Sequence, residues 1–147
     1  MDYHGKATAA IHGTLSDDQT LPNAQSEDSD NMVNIVGPTK GNLWIDVYAG
    51  TDITIATGQA FNIELEGYTA DTAASATSPF SDTDAHYYLL HKTSADGELA
   101  FDEGDLITQC AVPEDLLDDQ SYDYIQLKYT TDADESSEKV DAFVYWK

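Results

Sequence analysis

Residues 41–67 read GNLWIDVYAGTDITIATGQAFNIELEG, and the prediction of the fold starts from this stretch. Apolar side chains alternate with polar or aromatic ones in its first and last thirds, and a period of two places such a set on one face of a β-strand. Gly50 and Gly58 stand where the chain must reverse, at turns that favour glycine because it tolerates positive φ. The stretch therefore predicts a three-stranded meander with one buried face. Its alternating apolar residues are Leu43, Ile45, Val47, Phe61, Ile63 and Leu65.

Further strand signals recur along the chain with turn residues between them. Asp96 and Gly97 are a hairpin signal, and they predict that residues 86–91 pair with residues 99–101. Helix signals are limited to about one turn after Pro113. Many short strands with regular turns are typical of sandwiches and barrels. We therefore expect an all-β, antiparallel β-sandwich or jelly roll of about eight to ten short strands.

Segments without strand periodicity mark the predicted loops and the domain boundary. Residues 14–31 are polar and acidic, and residues 68–84 contain mainly Ala, Thr, Ser and Asp, so both predict loops. Residues 1–13, MDYHGKATAAIHG, show little periodicity and predict an extended N-terminal arm that packs on another subunit or a partner. Residues 14–147 are then a single β-sandwich domain.

Charge excludes several partner classes. The 147 residues include 28 acids and six lysines, with no arginine, which gives a net charge of −22. Binding to nucleic acid or an anionic membrane requires clustered basic side chains, so we expect neither. The first residues lack the basic and apolar regions of a signal peptide, and no run of 18 apolar residues occurs, so we expect synthesis in a cytoplasm without export by a signal peptide. The acidity fits solubility, a salt-rich environment, avoidance of self-association, a cationic partner or calcium.

Catalytic and metal-ligand patterns are weak throughout the sequence. His86 and His91 are five residues apart on a predicted strand and would face opposite sides. Glu64 and Glu66 share a face, but a solvated strand surface explains such a pair in an acidic chain. Residues 132–143 lack the glycine and the final glutamate of a helix-loop-helix calcium loop. We expect no enzyme activity, no cofactor and no defined metal site, with looser oxygen cages for calcium left open.

Aromatic side chains on the outward faces of strands are the strongest binding signal. Trp44 and Tyr48 lie opposite the apolar face of their strand, and Tyr122 and Tyr124 lie opposite that of another. Such residues are common at interfaces and sugar sites, although a second sandwich layer would place them equally well. Together with residues of the arm and the loops, the candidate partner-binding residues are Tyr3, His4, Ile11, Trp44, Tyr48, Phe80, Tyr122, Tyr124, Tyr145 and Trp146.

Several segments together carry a family resemblance. They are NIVG at 34–37, GNLWIDVYAG at 41–50, FNIELEGYT at 61–69, YDYIQLKYT at 122–130 and the closing aromatic pair at 145–146. In this pattern the chain resembles the small cement, or decoration, proteins of tailed-phage capsids, of the single jelly-roll type.

The resemblance implies a structural virion protein, made in the host cytoplasm, without catalysis or an obligatory cofactor. It implies a homotrimer on the outer surface of the expanded capsid, where it binds the major capsid protein at capsomer junctions and stabilises the shell. The acidity, the missing arginine and the long loop at residues 68–84 depart from that pattern. The alternative function is a β-sandwich carbohydrate-binding module that could use calcium.

Overall fold

The computed structural model describes residues 11–35, 43–68, 87–112 and 123–146, and these ranges form eleven β-strands and no helix. All pairings between the strands are antiparallel. The predicted all-β class is confirmed. The strands are β1 (Ile11–Thr20), β2 (Ser26–Asp28), β3 (Val33–Asn34), β4 (Leu43–Ala49), β5 (Ile53–Ile55), β6 (Phe61–Tyr68), β7 (Tyr88–Lys92), β8 (Leu99–Phe101), β9 (Leu106–Ala111), β10 (Tyr124–Thr131) and β11 (Lys139–Trp146).

Two main sheets form the sandwich. The first sheet has the order β1–β11–β4–β9, and the second has β2 and β3 beside β10, followed by β6 and β7. The pairings are nested, since β1 pairs with β11, β2 and β3 with β10, β4 with β9, and β6 with β7. A long hairpin rolled into two sheets produces this order, which is the jelly roll. The short strands β5 and β8 pair separately.

The core lies between the two sheets and follows the alternation in the sequence. Inward side chains of β4, β6, β10 and β11 are almost fully buried, and each large aliphatic one contributes about 1.5–3 kcal/mol relative to exposure. The period-two prediction is confirmed for these strands. Members with no exposed surface include Ile45, Val47, Phe61, Ile63, Leu65, Ile125, Leu127, Tyr129, Val140 and Val144.

The predicted meander is wrong, although its three strands are present. β4 belongs to the first sheet and β6 to the second, while β5 pairs with β8, so none of the three pairs with another. The chain passes from the first sheet to the second between β4 and β6. Each strand still presents its apolar face to the interior between the sheets. Gly58 has the expected positive φ of 89°. Gly50 has a different role, because a Cβ there would lie 3.1 Å from an oxygen of Asp141.

The predicted hairpin across Asp96 and Gly97 is also wrong. Residues 88–92 pair with β6 as β7, and residues 99–101 pair with β5 as β8. β7 pairs with β6 rather than with β8 because β6 is longer. The eight residues of β6 include a continuous row of inward apolar side chains, which the three-residue β8 lacks.

The loop predicted over residues 14–31 is wrong in its first part, since β1 extends from Ile11 to Thr20 and β2 follows. Two polar residues of β1, Ser16 and Gln19, are buried. The Ser16 hydroxyl lies 2.8 Å from the hydroxyl of the fully buried Tyr129 and donates to Gln19 Oε1 at 2.6 Å. Ser16 thus gives the buried Tyr129 hydroxyl a hydrogen-bond partner. Without a partner, burial of this hydroxyl would be costly. β1 also begins inside the predicted arm, of which residues 1–10 lie outside the described residues.

Three described segments meet at one end of the sandwich, which we call the acidic end. They are residues 50–60, 93–105 and 131–138. Backbone and side-chain hydrogen bonds join them, for example from Thr54 N to Glu138 Oε1 at 3.1 Å and from Ala60 N to Asp132 Oδ1 at 2.7 Å. Ten carboxylates lie in these three ranges, namely Asp52, Asp96, Glu98, Asp102, Glu103, Asp105, Asp132, Asp134, Glu135 and Glu138.

Candidate functional site

The outer surface of the first sheet carries an aromatic face made of Trp44, Tyr48, Phe143 and Tyr145. The antiparallel register places Tyr145 opposite Trp44 and Phe143 opposite Asp46, on the side of β4 and β11 that faces away from the core. Tyr48 and Phe143 are in ring contact, with centroids 6.2 Å apart. Outward faces of sandwich strands are usually polar, so this aromatic face is unusual. Binding of another molecule, or cover by neighbouring side chains, would explain it.

A buried carboxylate lies at the centre of the aromatic face. Asp46 is 1% exposed and accepts hydrogen bonds from the Tyr48 hydroxyl and from Gln109 Nε2, each at 2.8 Å. The same Gln109 nitrogen donates to the Tyr145 hydroxyl at 2.7 Å. Burial, and then the hydrogen bond to Asp46, raise the pKa of Tyr145 to about 12, and burial also raises the pKa of Tyr48. Both hydroxyls therefore stay protonated and act as donors at neutral pH.

The aromatic face is mostly covered within the chain. Tyr48 and Tyr145 are 6% and 7% exposed, whereas Trp44 and Phe143 are half-buried. The two tyrosines are therefore not an open binding surface, although they lie on the outer face of the first sheet and not between the two layers of the sandwich. Trp44 and Phe143 retain accessible surface, and they are the members of this face that another molecule could contact.

The outer surface of the second sheet is polar and contains a buried acid. Glu66 is 8% exposed, accepts a hydrogen bond from the Tyr68 hydroxyl, and has Lys128 Nζ 3.6 Å from its Oε1. Burial raises the pKa values of Glu66 and of Asp28, and Asp28 stands opposite Lys128 on β2. The Lys128 ammonium group thus lies among several carboxylates. This part of the outer surface presents mainly hydrogen-bonding groups.

A stacked ring pair marks the border of this polar surface. Tyr88 and His91 have ring centroids 4.4 Å apart with planes 26° from parallel. His91 Nδ1 lies 2.7 Å from Asn62 Oδ1, and Glu64 is the register neighbour of Tyr88. Tyr88 is 38% exposed. An exposed ring beside amide and carboxylate groups is a surface that a polar ligand with an apolar face could contact.

The structure separates the aromatics that the sequence proposed for a sugar site. Trp44 and Tyr48 lie on the outer face of the first sheet, and the half-buried Tyr124 lies on that of the second, so they do not form one platform. The register places Ile11 opposite Tyr145 and Trp146 opposite Leu43. The remaining candidates, Tyr3, His4, Phe80 and Tyr122, lie outside the described residues.

A buried lysine at the acidic end was not predicted. Lys92 is 4% exposed, and its Nζ donates to three backbone carbonyls rather than to a carboxylate. The carbonyl oxygens of Gln59, Ala56 and Asp96 lie 2.5, 3.2 and 3.5 Å from the nitrogen. Lys92 therefore joins the turn between β5 and β6 to the turn after β7. Every residue has a backbone carbonyl, whatever its side chain. The sequence therefore gave no signal that these three carbonyls would surround Lys92.

A pair of carboxyl groups at the same end was also not predicted. Glu135 is 7% exposed and lies next to Glu138, in a turn that also holds Asp132 and Asp134. Burial, followed by the neighbouring Glu138 carboxyl, raises the pKa of Glu135 to about 7. One proton is thus held at this turn well above the pH at which a free glutamate loses it.

Chemistry elsewhere in the described part of the chain is limited. In residues 11–35, 43–68, 87–112 and 123–146 no three His, Cys, Asp or Glu side chains are placed to hold a metal ion. Burial, and then Asp46, raise the pKa of the Cys110 thiol to about 11, which leaves little thiolate for nucleophilic attack at neutral pH. No helix of membrane-spanning length and hydropathy occurs in the same ranges.

No protein-family model matches the chain, and no curated protein matches it.

Proposed function

We propose that the chain is a capsid decoration protein of a tailed phage, which binds the outer surface of the expanded major capsid shell at capsomer junctions and stabilises it. The observation that carries the proposal is the nested strand order of the two sheets, because it is the jelly roll that the resemblance implies. Jelly rolls of eight strands recur in viral capsid domains. The family resemblance supplies the partners, which are the major capsid protein and two further copies of the chain.

The construction of the sandwich suits a load-bearing role. The inward side chains of β4, β6 and β10 are almost completely buried, and the buried Tyr129 hydroxyl is hydrogen-bonded to Ser16. Such a scaffold resists deformation because close-packed interiors have low compressibility. Many identical copies on a shell then add weak contacts by avidity, so no single contact has to be strong.

Charge restricts how the chain can meet a shell. With a net charge of −22, close approach requires basic groups on the shell or contact through a surface that carries few carboxylates. Half-buried Trp44 and Phe143 offer such contact, because the neighbouring carboxylates Asp46 and Asp141 are buried. Aromatic side chains are also enriched at protein interfaces.

The test uses empty shells assembled from the major capsid protein of the genome that encodes the chain. Expanded and unexpanded shells are mixed with the purified chain and sedimented, and the bound chain is quantified. We expect saturable binding to the expanded shells alone, at a fixed ratio of chains to capsomers. Absence of binding from about 0.15 M to 1 M salt, where charge repulsion is progressively screened, would overturn the proposal.

Sugar binding is a second candidate, favoured by the stacked Tyr88 and His91 beside Asn62 and Glu64. If this function holds, the chain gives a signal on a glycan array, and Tyr88→Ala weakens it while Trp44→Ala does not, because Trp44 lies on the other sheet. No signal from the wild-type chain, with or without calcium, removes this candidate.

A further inference from the structure

The turn between β10 and β11 contacts two other parts of the chain, and Glu138 takes part in both contacts. On one side, Leu21 N donates to the backbone carbonyl of Glu138 at 2.8 Å. On the other side, Thr54 N donates to the carboxylate oxygen Oε1 of Glu138 at 3.1 Å. The first contact uses the backbone and is independent of the side chain. The second uses the carboxylate, so it requires that the side chain of Glu138 stays in place.

Thr54 belongs to β5, which lies outside the two main sheets. β5 has three residues and pairs with β8 in a separate two-stranded sheet. Ile53 and Ile55 are fully buried, whereas Thr54 between them is exposed. The core therefore holds β5 by its two isoleucines, and the bond to Glu138 holds its middle residue against the turn between β10 and β11.

The other carboxylate oxygen of Glu138 is buried without a matching donor. With all carboxyl groups ionised, Glu138 Oε2 receives no hydrogen bond from the part of the chain that the structure describes, although it is shielded from water. A buried charged oxygen without a donor is costly. Glu135, which is 7% exposed, lies next to Glu138 and can donate to it only while it carries a proton.

The surroundings of Glu135 are acidic or neutral. The charges that act on it come from three acids of the same turn, Glu138, Asp134 and Asp132. The segments packed against this turn, residues 20–25 (TLPNAQ) and 53–60 (ITIATGQA), contain no ionisable side chain. Asp52, directly before β5, is a further acid.

Two lysines at this end of the sandwich have other partners. Lys139 Nζ lies 3.1 Å from Asp18 Oδ2, and Lys92 Nζ donates to backbone carbonyls of the turn between β5 and β6. Loss of the proton from Glu135 would therefore leave two adjacent carboxylates that repel each other in a position shielded from water.

We propose that Glu135 and Glu138 form a proton-dependent latch between β5 and the turn that joins β10 to β11. While the two carboxyl groups share one proton, Glu138 stays in place and accepts the amide hydrogen of Thr54. When the proton leaves, repulsion drives the Glu138 side chain toward water, and its bond to Thr54 is lost. Burial, followed by the Glu138 carboxyl, raises the pKa of Glu135 to about 7, so the latch opens in the neutral range. This proposal does not rest on binding to a capsid.

The test is the exchange of backbone amide hydrogens with water, measured by NMR at pH 6 and pH 8. Protection is the intrinsic exchange rate at each pH divided by the measured rate. The protonated fraction of Glu135 falls from about nine-tenths to about one-tenth between these pH values, so protection of the Thr54 amide should fall about tenfold. The Ala60 amide, which donates to Asp132 Oδ1 of the same turn, is the internal reference and should keep its protection.

Two variants separate the latch from general charge repulsion. In Glu135→Gln, protection of Thr54 should be the same at both pH values, because glutamine keeps a donor to Glu138. Glu98→Gln is the matched control, since it removes one charge from an exposed position at the same end and should keep the tenfold change. Constant protection of Thr54 in the wild type, an equal loss at Ala60, or a loss in Glu135→Gln as large as in the wild type would overturn the proposal.

Discussion

Replacing Lys92 with methionine is expected to lower the free energy of unfolding by about 1.5–3 kcal/mol, since the change removes a charged donor that three backbone carbonyls share. The Nζ of Lys92 is the common donor to the carbonyls of Gln59 and Ala56, and methionine keeps the length of the side chain without the ammonium group. The two turns at the acidic end would lose the bond that joins them. Urea unfolding in about 1 M NaCl, where surface charge is screened, measures the difference.

Lys139→Met is the control for Lys92→Met. Lys139 Nζ lies 3.1 Å from Asp18 Oδ2, with both side chains substantially exposed. Exposed ion pairs contribute about 0–1 kcal/mol, so this variant should be nearly as stable as the wild type. If both variants lose the same small amount, the carbonyl cage around Lys92 has no special role in stability.

Glu135→Gln is expected to stabilise the chain at pH 8 by about 1–2 kcal/mol and to change its stability little at pH 5. The folded-state pKa of Glu135, about 7, lies above the ordinary value of 4.5, so the folded chain holds this proton more tightly than the unfolded chain. The resulting stability is complete below about pH 4.5 and is lost as the pH rises through about 7. Glutamine keeps the neutral form at every pH and can still donate to Glu138.

Urea unfolding of this variant at pH 5 and pH 8 gives the comparison, with Glu98→Gln as the control. Glu98 is exposed at the acidic end, and its replacement changes the net charge by the same amount. General relief of repulsion would stabilise both variants alike at pH 8. Equal effects of the two substitutions, or a Glu135→Gln effect that does not depend on pH, would contradict the assignment of the raised pKa to this turn.

The sequence predicted strands where the period of two is strong. Alternation in β4, β6, β10 and β11 translates directly into buried inner faces, because each of these strands packs one side on the core. β1 was missed because its inward Ser16 and Gln19 are polar, and their role depends on a tyrosine hydroxyl more than a hundred residues away. Local patterns carry no record of such a distant partner.

Strand pairing could not be read from the sequence in the same way. Adjacent strands β4, β5 and β6 suggested a meander, yet each pairs with a strand distant in the chain. Turn signals such as Asp96 and Gly97 specify only that the chain bends, and the partner is decided by which strands complete the core. The sequence placed Trp44 and Tyr48 opposite the apolar face of β4 but left open what that side faces. The hydrogen bond from Gln109 of β9 to Asp46 depends on a strand pairing that local patterns do not show.

Heating decorated shells shows whether this jelly roll strengthens a capsid, which is the role that we propose for it. Expanded empty shells, with and without a saturating amount of the chain, are heated while their disruption is followed by light scattering. We expect a higher disruption temperature for decorated shells, with no such shift when the chain has been unfolded beforehand. Shells that bind the chain and disrupt at the same temperature as bare shells would contradict it.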